Sequence, residues 1–257
     1  MACALMRVCS VPLYRDMVRV GRPEGAHVGL REFTPGTAEC PAASVASLTD
    51  LMHSAKVVGC TCLAANHGLL GGLTFDVCFV DEASQITLPA VLGPLLRARS
   101  FVLVGDHNQL PPLVQNKQAI EGGLGIPLFK TLCDTHPGET QDVGLPLMPQ
   151  FGSRVYAMTA GPSTPVAESV AMLSAQYRMN AEILSLSNEL VYSGRLRCGS
   201  AEVAAGRLQL GPMPLALDST PLWLARASDP ELPVAFVDTS PAGEAFWWVP
   251  CLLARRP

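Results

Sequence analysis

The sequence predicts an α/β fold built on a parallel β-sheet, and three features carry that expectation. First, the runs Lys56–Leu63, Val77–Val80 and Ser100–Asp106 contain apolar stretches rich in Val, Phe and Cys that are too short for buried helices, so each reads as a strand. Second, the stretches between them are long enough to cross over, as parallel neighbours require. Third, all three runs end in polar residues (Asn66-His67, Asp81-Glu82 and Gly105-Asp106), so their polar ends share one sheet edge. Ligands of open parallel sheets bind beyond the carboxyl ends of the strands.

Taken in order, residues 1–44 mix Arg, Gly and Pro without sustained periodicity, hold a short strand at Met17–Val20, and carry no assignable chemistry. Ser44–Ser54 reads as a helix with Val45, Leu48, Leu51 and Met52 on one face, and His53 at its end reads as a cap rather than a ligand. The strand at Lys56 follows, then a Gly-rich turn at Gly68–Gly72, then the run ending in Asp81-Glu82, which is expected to be covered on both faces. Ile86–Leu96 reads as a helical connection interrupted by Pro89 and Pro94. Residues 45–133 thus form one unit. Between 134 and 171, Pro, Gly, Ser and Thr are frequent and periodicity fades, so this stretch reads as a mobile linker or an insertion. Residues 172–257 open a second unit. There Asn180 is an N-cap, Glu182 lies in the first turn, and a helix over Ala181–Leu190 carries an apolar stripe of Met179, Ile183, Leu186 and Leu190. A turn-rich exit at Val191–Ser200, a strand at Pro233–Thr239 and an abrupt apolar ending at Phe246–Pro257 complete the chain.

Composition narrows the function. Hydrophobic residues make up 49% of 257 residues and charged residues only 16%, which describes a globular chain. A net charge of −4 gives no basic field of the kind that binds nucleic acid by charge alone, so any such contact is local. The nine cysteines are scattered, odd in number and without a C-x-x-C pair, which supports neither a zinc site nor a disulfide framework. Cys60 and Cys62 read as buried small residues of a reduced compartment. The opening Met-Ala-Cys-Ala-Leu-Met is interrupted by Arg7 before it resembles a signal sequence, and no apolar run reaches membrane-spanning length, so a soluble protein with no membrane partner is expected.

The candidate site is the Asp81-Glu82 pair. An Asp at such a strand end can hold Mg²⁺ while the next Glu polarises an attacking water, as in phosphate-hydrolysing ATPases. The other reading is a solvated strand exit or a helix N-terminus, where acids are favoured. Gln109, on a loop stiffened by Pro111 and Pro112, could bond a phosphate or the attacking water; the same residues also fit an ordinary turn. Arg178, just before the Asn180 cap, could present its planar fork to an anion or serve as a surface ion-pair partner.

Taken together, Val80-Asp-Glu-Ala-Ser-Gln85, Leu103-Val-Gly-Asp-His-Asn-Gln-Leu-Pro-Pro112 and Gln176-Tyr-Arg-Met179 resemble motifs II, III and IV of superfamily 1 helicases. The intervening residues look most like the helicase/nucleases of eukaryotic DNA replication, which trim Okazaki-fragment flaps and resect broken ends. The resemblance implies a P-loop NTPase fold with a RecA-like parallel sheet, in which 45–133 is an incomplete first lobe and 172–257 the beginning of a second. It further implies Asp81 on Mg²⁺, Glu82 activating water, Gln109 sensing the γ-phosphate, Arg178 contacting phosphates and Tyr177 packing near the nucleotide. ATP and Mg²⁺ are the implied cofactors, and single-stranded DNA together with replication and repair proteins the implied partners. The nucleus is the implied location, with the mitochondrion as a second compartment. The sequence departs from the pattern in four respects: its three lysines follow Ala55, Asn116 and Phe129, so it holds no Gly-Lys-Ser or Gly-Lys-Thr phosphate loop; it stops before the later motifs that would supply a second-lobe arginine finger; it has no counterpart of the nuclease domain and its iron–sulfur cysteines; and residues 134–171 interrupt the passage between lobes. A fragment with little or no ATP hydrolysis of its own is therefore expected. The alternatives are a non-enzymatic module that binds DNA or a helicase, and a fragment of an RNA-directed helicase of the same superfamily.

Overall fold

The computed structural model describes residues 2–6, 16–41, 44–135, 141–142, 156–160, 170–207, 229 and 232–235. The chain divides into two compact units, the first spanning Met1–Met148 and Ser153–Ser174, the second Pro149–Gly152 and Ala175–Pro257.

In the first unit, strands β1 (Ala2–Met6) and β2 (Met17–Arg19) are followed by helix α1 (Val45–Ser54) and strands β3 (Val57–Thr61) and β4 (Phe75–Val80). Helix α2 (Leu88–Leu95), strand β5 (Ala98–Leu103) and helices α3 (Lys117–Glu121) and α4 (Leu128–Thr135) come next. Strands β6 (Gln141–Asp142), β7 (Tyr156–Ala160) and β8 (Val170–Met172) complete one eight-stranded sheet in the order β2-β3-β1-β4-β5-β7-β8-β6. β4 and β5 are parallel, with Val80 opposite Leu103. β1 is antiparallel to both β3 and β4, so β3, β4 and β5 all point the same way and their carboxyl ends do share an edge.

The sheet is nevertheless mixed rather than parallel. β1 separates β3 from β4, and β7 runs antiparallel to β5. An antiparallel neighbour needs no long crossover, so a short segment from either end of the unit can be accommodated there, and no motif in the strands themselves announces it. Strands β6 to β8 come from the stretch read as a linker or insertion, and β2 matches the short strand expected near Met17.

Alternation decides the core. Cys78 and Val80 are buried on one face of β4 and Phe75 on the other, whereas Phe79, on the same face as Phe75, is 37% exposed, so the expected cover on both faces holds at the start of the strand and opens on one face toward its carboxyl end. Burial, reinforced by neighbouring Cys62 and Cys60, pushes the Cys78 thiol up to about 12, which keeps it protonated and makes it an inert packing group. Ser44 caps α1 reciprocally with Ser47, accepting the Ser47 N–H at 3.1 Å while the Ser44 N–H donates to Ser47 Oγ at 3.0 Å. Only Met52 of that helix is fully buried, and Val45 is exposed. The two prolines do not break α2. Pro89 lies in the first turn, where an N–H would have no intrahelical acceptor, and buried Pro94 is next to the last residue. Arg97 then ties the loop before β4 to the start of β5, with Nε donating to the Ala65 carbonyl and Nη1 to that of Leu70.

The second unit pairs β9 (Ala175–Gln176) in parallel with β10 (Arg197–Cys198) and adds helices α5 (Ala181–Ser187) and α6 (Ala201–Ala204). Among its described residues, Leu184, Tyr192 and Leu196 are the buried apolar side chains. The expected stripe is not the core-facing one: Ile183 is at the edge of exposure, and Leu186 and Leu190 are exposed. The buried face is that of Leu184, and a π-helical turn over Asn188–Tyr192 extends α5 with Tyr192 facing inward. Of the strand expected at Pro233–Thr239, Pro233–Ala235 are not in strand conformation; the rest, like Phe246–Pro257, lies outside the described residues. Among the described residues, no helix is long and apolar enough to cross a membrane.

Candidate functional site

The parallel pairing of β4 and β5 continues past the strand ends. The Val104 N–H donates to the Val80 carbonyl at 2.8 Å and the Ala83 N–H to the Val104 carbonyl at 2.8 Å. Chain 81–83 is therefore fixed to the β5 exit by backbone alone. Asp81 and Glu82 are exposed there. Glu82 has φ 54° and ψ 40°, the left-handed region that is strained for a residue with a Cβ. This conformation folds the chain back so that the Glu82 N–H donates to Asp81 Oδ1 at 3.0 Å and Gln85 Nε2 donates to Glu82 Oε2 at 3.0 Å. Helix α4 packs against Ala83–Gln85 with Phe129 fully buried.

A second loop meets this one. Ser84, 2% exposed, accepts the Asp106 N–H on Oγ at 3.3 Å. The approach requires glycine at 105, because a Cβ there would fall 2.9 Å from Ser84 N and 3.3 Å from Ala83 N. Asp106 is itself buried and organises the rest of its loop. Its Oδ1 accepts the Asn108 N–H at 3.0 Å, and its Oδ2 accepts Gln109 Nε2 at 2.9 Å. The exposed Gln109 is thus held by its amide nitrogen.

Tyr177 and Arg178 belong to the second unit, so the structure brings three of the five expected site residues to one edge and places the other two on a separate body. Gln176, 4% exposed, folds the turn that carries them: its Oε1 accepts the Arg178 N–H at 2.8 Å and the Met179 N–H at 2.7 Å, while Nε2 donates to the Met179 carbonyl at 2.7 Å. Asn180 caps α5 as expected, accepting the Ile183 N–H at 3.0 Å. The Arg178 side chain is exposed and Tyr177 is half-buried.

Chemically, the edge offers two exposed carboxylates and one carboxamide. Oxygen donors of this kind suit a hard cation such as Mg²⁺, although among the described residues no group of three or more His, Cys, Asp or Glu is gathered to hold a metal ion. The sequence places Gly105-Asp106 at the strand exit but assigns no role to either or to Ser84; only the register of β4 against β5 makes Ser84 and Asp106 partners across 22 positions of chain.

Residues 39–117 match a family described as an AAA domain, and residues 155–246 match a second family with the same description. AAA domains imply a P-loop NTPase fold, and the sheet of the first unit is of mixed α/β type. The chain is 40% identical over 224 residues to the DNA replication ATP-dependent helicase/nuclease JHS1 of Arabidopsis thaliana, covering 87% of this chain and 14% of that protein. It is 37% identical over 233 residues to the helicase/nuclease DNA2 of Gallus gallus (88% of this chain, 20% of that protein). Against the protein of the same name in Homo sapiens it is 36% identical over 233 residues (86% and 19%). The chain thus spans a fifth or less of the length of these relatives.

Proposed function

We propose that this chain, an AAA-domain sequence similar along most of its length to DNA replication ATP-dependent helicase/nucleases, carries the metal-side and water-activating half of a RecA-like ATP site. The observation that supports this best is the locked pair of loops, in which Asp81-Glu82 and Gln109 leave adjacent parallel strands at one edge. In this reading residues 45–133 belong to a first lobe, 134–171 to a linker or insertion, and 172–257 to the start of a second lobe. Asp81 would hold Mg²⁺, whose positive charge offsets the negative charge on the transferring phosphoryl oxygens. Glu82 would orient and deprotonate the attacking water, its carboxylate preset by Gln85. Gln109 would report the γ-phosphate by leaving Asp106, and Arg178, with Tyr177 near the nucleotide, would approach the phosphates from the second lobe. In an intact protein holding both halves of the site, the output would be ATP hydrolysis coupled to movement on single-stranded DNA in replication and repair, in the nucleus and with the mitochondrion as a second compartment.

These 257 residues contain no Gly-Lys-Ser or Gly-Lys-Thr, so the backbone cradle and lysine that hold β- and γ-phosphates must come from elsewhere. For the chain alone we expect ATP turnover with single-stranded DNA at background. Asp81 is tested without turnover: Mn²⁺ in place of Mg²⁺ should broaden the NMR signals of residues 81–85 and 105–109, and Asp81→Asn should abolish the effect. Broadening that is unchanged by Asp81→Asn would remove the metal role; robust turnover lost in Glu82→Gln would show a whole site rather than half of one.

A further inference from the structure

Gln176 carries no role in the proposed ATP site, yet among the described residues of the second unit its side chain makes four hydrogen bonds. Besides the three bonds that close the turn, its Nε2 reaches Cys198 Sγ at 3.3 Å, and its backbone carbonyl accepts the Gly199 N–H at 2.7 Å. The backbone on both sides of Arg178 is therefore satisfied by one buried amide, while Asn180 Nδ2 anchors the far side to the Gly206 carbonyl at 3.1 Å. Gly199 makes a complementary contribution. A Cβ on it would overlap Cζ and both Cε atoms of Tyr177, so the phenol ring lies in the space an absent side chain leaves and would have to move for any other residue.

We propose that Gln176 and Gly199 are positioning residues that hold Tyr177 and Arg178 in one preset presentation toward a polyphosphate. The proposal rests on the reading of Arg178 as a phosphate contact and deepens it. Arginine has many rotamers to lose on binding, and fixing the backbone from which it springs removes part of that cost beforehand. Gln176 sets the backbone through two N–H groups and one carbonyl; Gly199 sets the neighbouring ring by leaving room for it. Neither touches the ligand.

The test uses the whole chain, inorganic tripolyphosphate without metal, and the Arg178 Nε–Hε NMR signal, assigned by its loss in Arg178→Lys. Native protein should show a saturable shift of that signal, with backbone shifts confined to the 176–180 turn. Arg178→Gln should abolish the turn's response, and Gln176→Leu should weaken apparent affinity about fivefold by releasing the preset turn. Gln176→Glu separates positioning from packing. Its carboxylate can still accept both N–H groups, but when ionised it cannot donate to the Met179 carbonyl. Burial favours the neutral acid, which regains that donor, so affinity relative to native should recover as pH falls through the carboxylate range. Gly199→Ala should weaken binding when Tyr177 is present and have no further effect in Tyr177→Ala. A flat pH ratio for Gln176→Glu, or a Gly199→Ala effect independent of Tyr177, overturns the positioning roles. If Arg178→Gln binds like native, the phosphate reading of Arg178 falls instead. Native-like binding by the Gln176 and Gly199 variants, with Arg178→Gln silent, leaves that reading standing and removes only this proposal.

Discussion

The Asp81–Gln85 loop and the Gln176–Met179 turn present comparable chemistry by opposite means. The first is held by main chain: the β4–β5 ladder runs on through Val104, and the price is a left-handed Glu82. The second is held by a side chain, because β9 and β10 are two residues each and the turn between Gln176 and Met179 closes through one buried amide. A loop fixed by backbone tolerates side-chain replacement and fails when its platform is removed. A turn fixed by one side chain fails locally when that side chain changes. The Gly105–Gln109 loop combines both devices, with a close backbone approach at Gly105 and a buried carboxylate at Asp106.

The largest effect should therefore come from the platform. Phe129 is fully buried on α4 where that helix packs against Ala83–Gln85. Phe129→Ala should destabilise the first unit by about 3–5 kcal/mol in denaturant unfolding, the usual cost of an aromatic-sized cavity. Hydrogen exchange at Ala83 and Gln85 should accelerate with it. An unfolding midpoint within error of native would show that the carboxylate loop does not depend on α4, and the contrast between the two regions would lose one side.

Asp106→Ala should have an intermediate effect. Removing the carboxylate strips acceptors from the Asn108 N–H and from Gln109 Nε2 and costs about 0.5–1.5 kcal/mol for each bond lost, since both partners are exposed and turn to water. Exchange should rise at Asn108 yet stay native at Ala83, whose bond to the Val104 carbonyl is untouched. Equal loss of protection at both amides would mean that the two loops are one cooperative piece and that backbone and side-chain support cannot be told apart here.

Much of this was legible in the sequence, and the limits are physical. The runs at Val57, Phe75 and Ala98 appear as strands because apolar and β-branched residues cluster between polar ends, and Asn180 appears as a cap because its side chain acts within four residues. Partners across long separations do not appear. Nothing local says that Ala2–Met6 pairs with Val57–Thr61 and Val77–Val80, or that Ser84 meets Asp106. The reading of the α5 stripe failed already within the regular helix, where Leu184 faces the core and Ile183 and Leu186 do not, because apolar residues stand on more than one face and spacing alone does not choose between them; the π turn at Asn188 then alters the period beyond it. The main-chain route to rigidity was invisible for the same reason. A left-handed Glu is a property of its neighbours' hydrogen bonds, and Val80-Asp-Glu-Ala-Ser reads identically with or without it.

The smallest expected effect is also the sharpest, because it tests that strain directly. At φ 54° any residue with a Cβ carries a cost that glycine does not, about 1–2 kcal/mol, partly offset by the extra freedom glycine gives the unfolded chain. Glu82→Ala keeps the strained backbone and loses the bond from Gln85, whereas Glu82→Gly loses the same bond and relaxes the backbone. Glu82→Gly should therefore be more stable than Glu82→Ala by about 1 kcal/mol in denaturant unfolding, although both lack the carboxylate. If the two variants unfold together, Glu82 is not held in a strained state by the β4–β5 ladder. If glycine is the more stable, the glutamate persists at a position where its backbone is a liability, and the carboxylate is the reason for its presence.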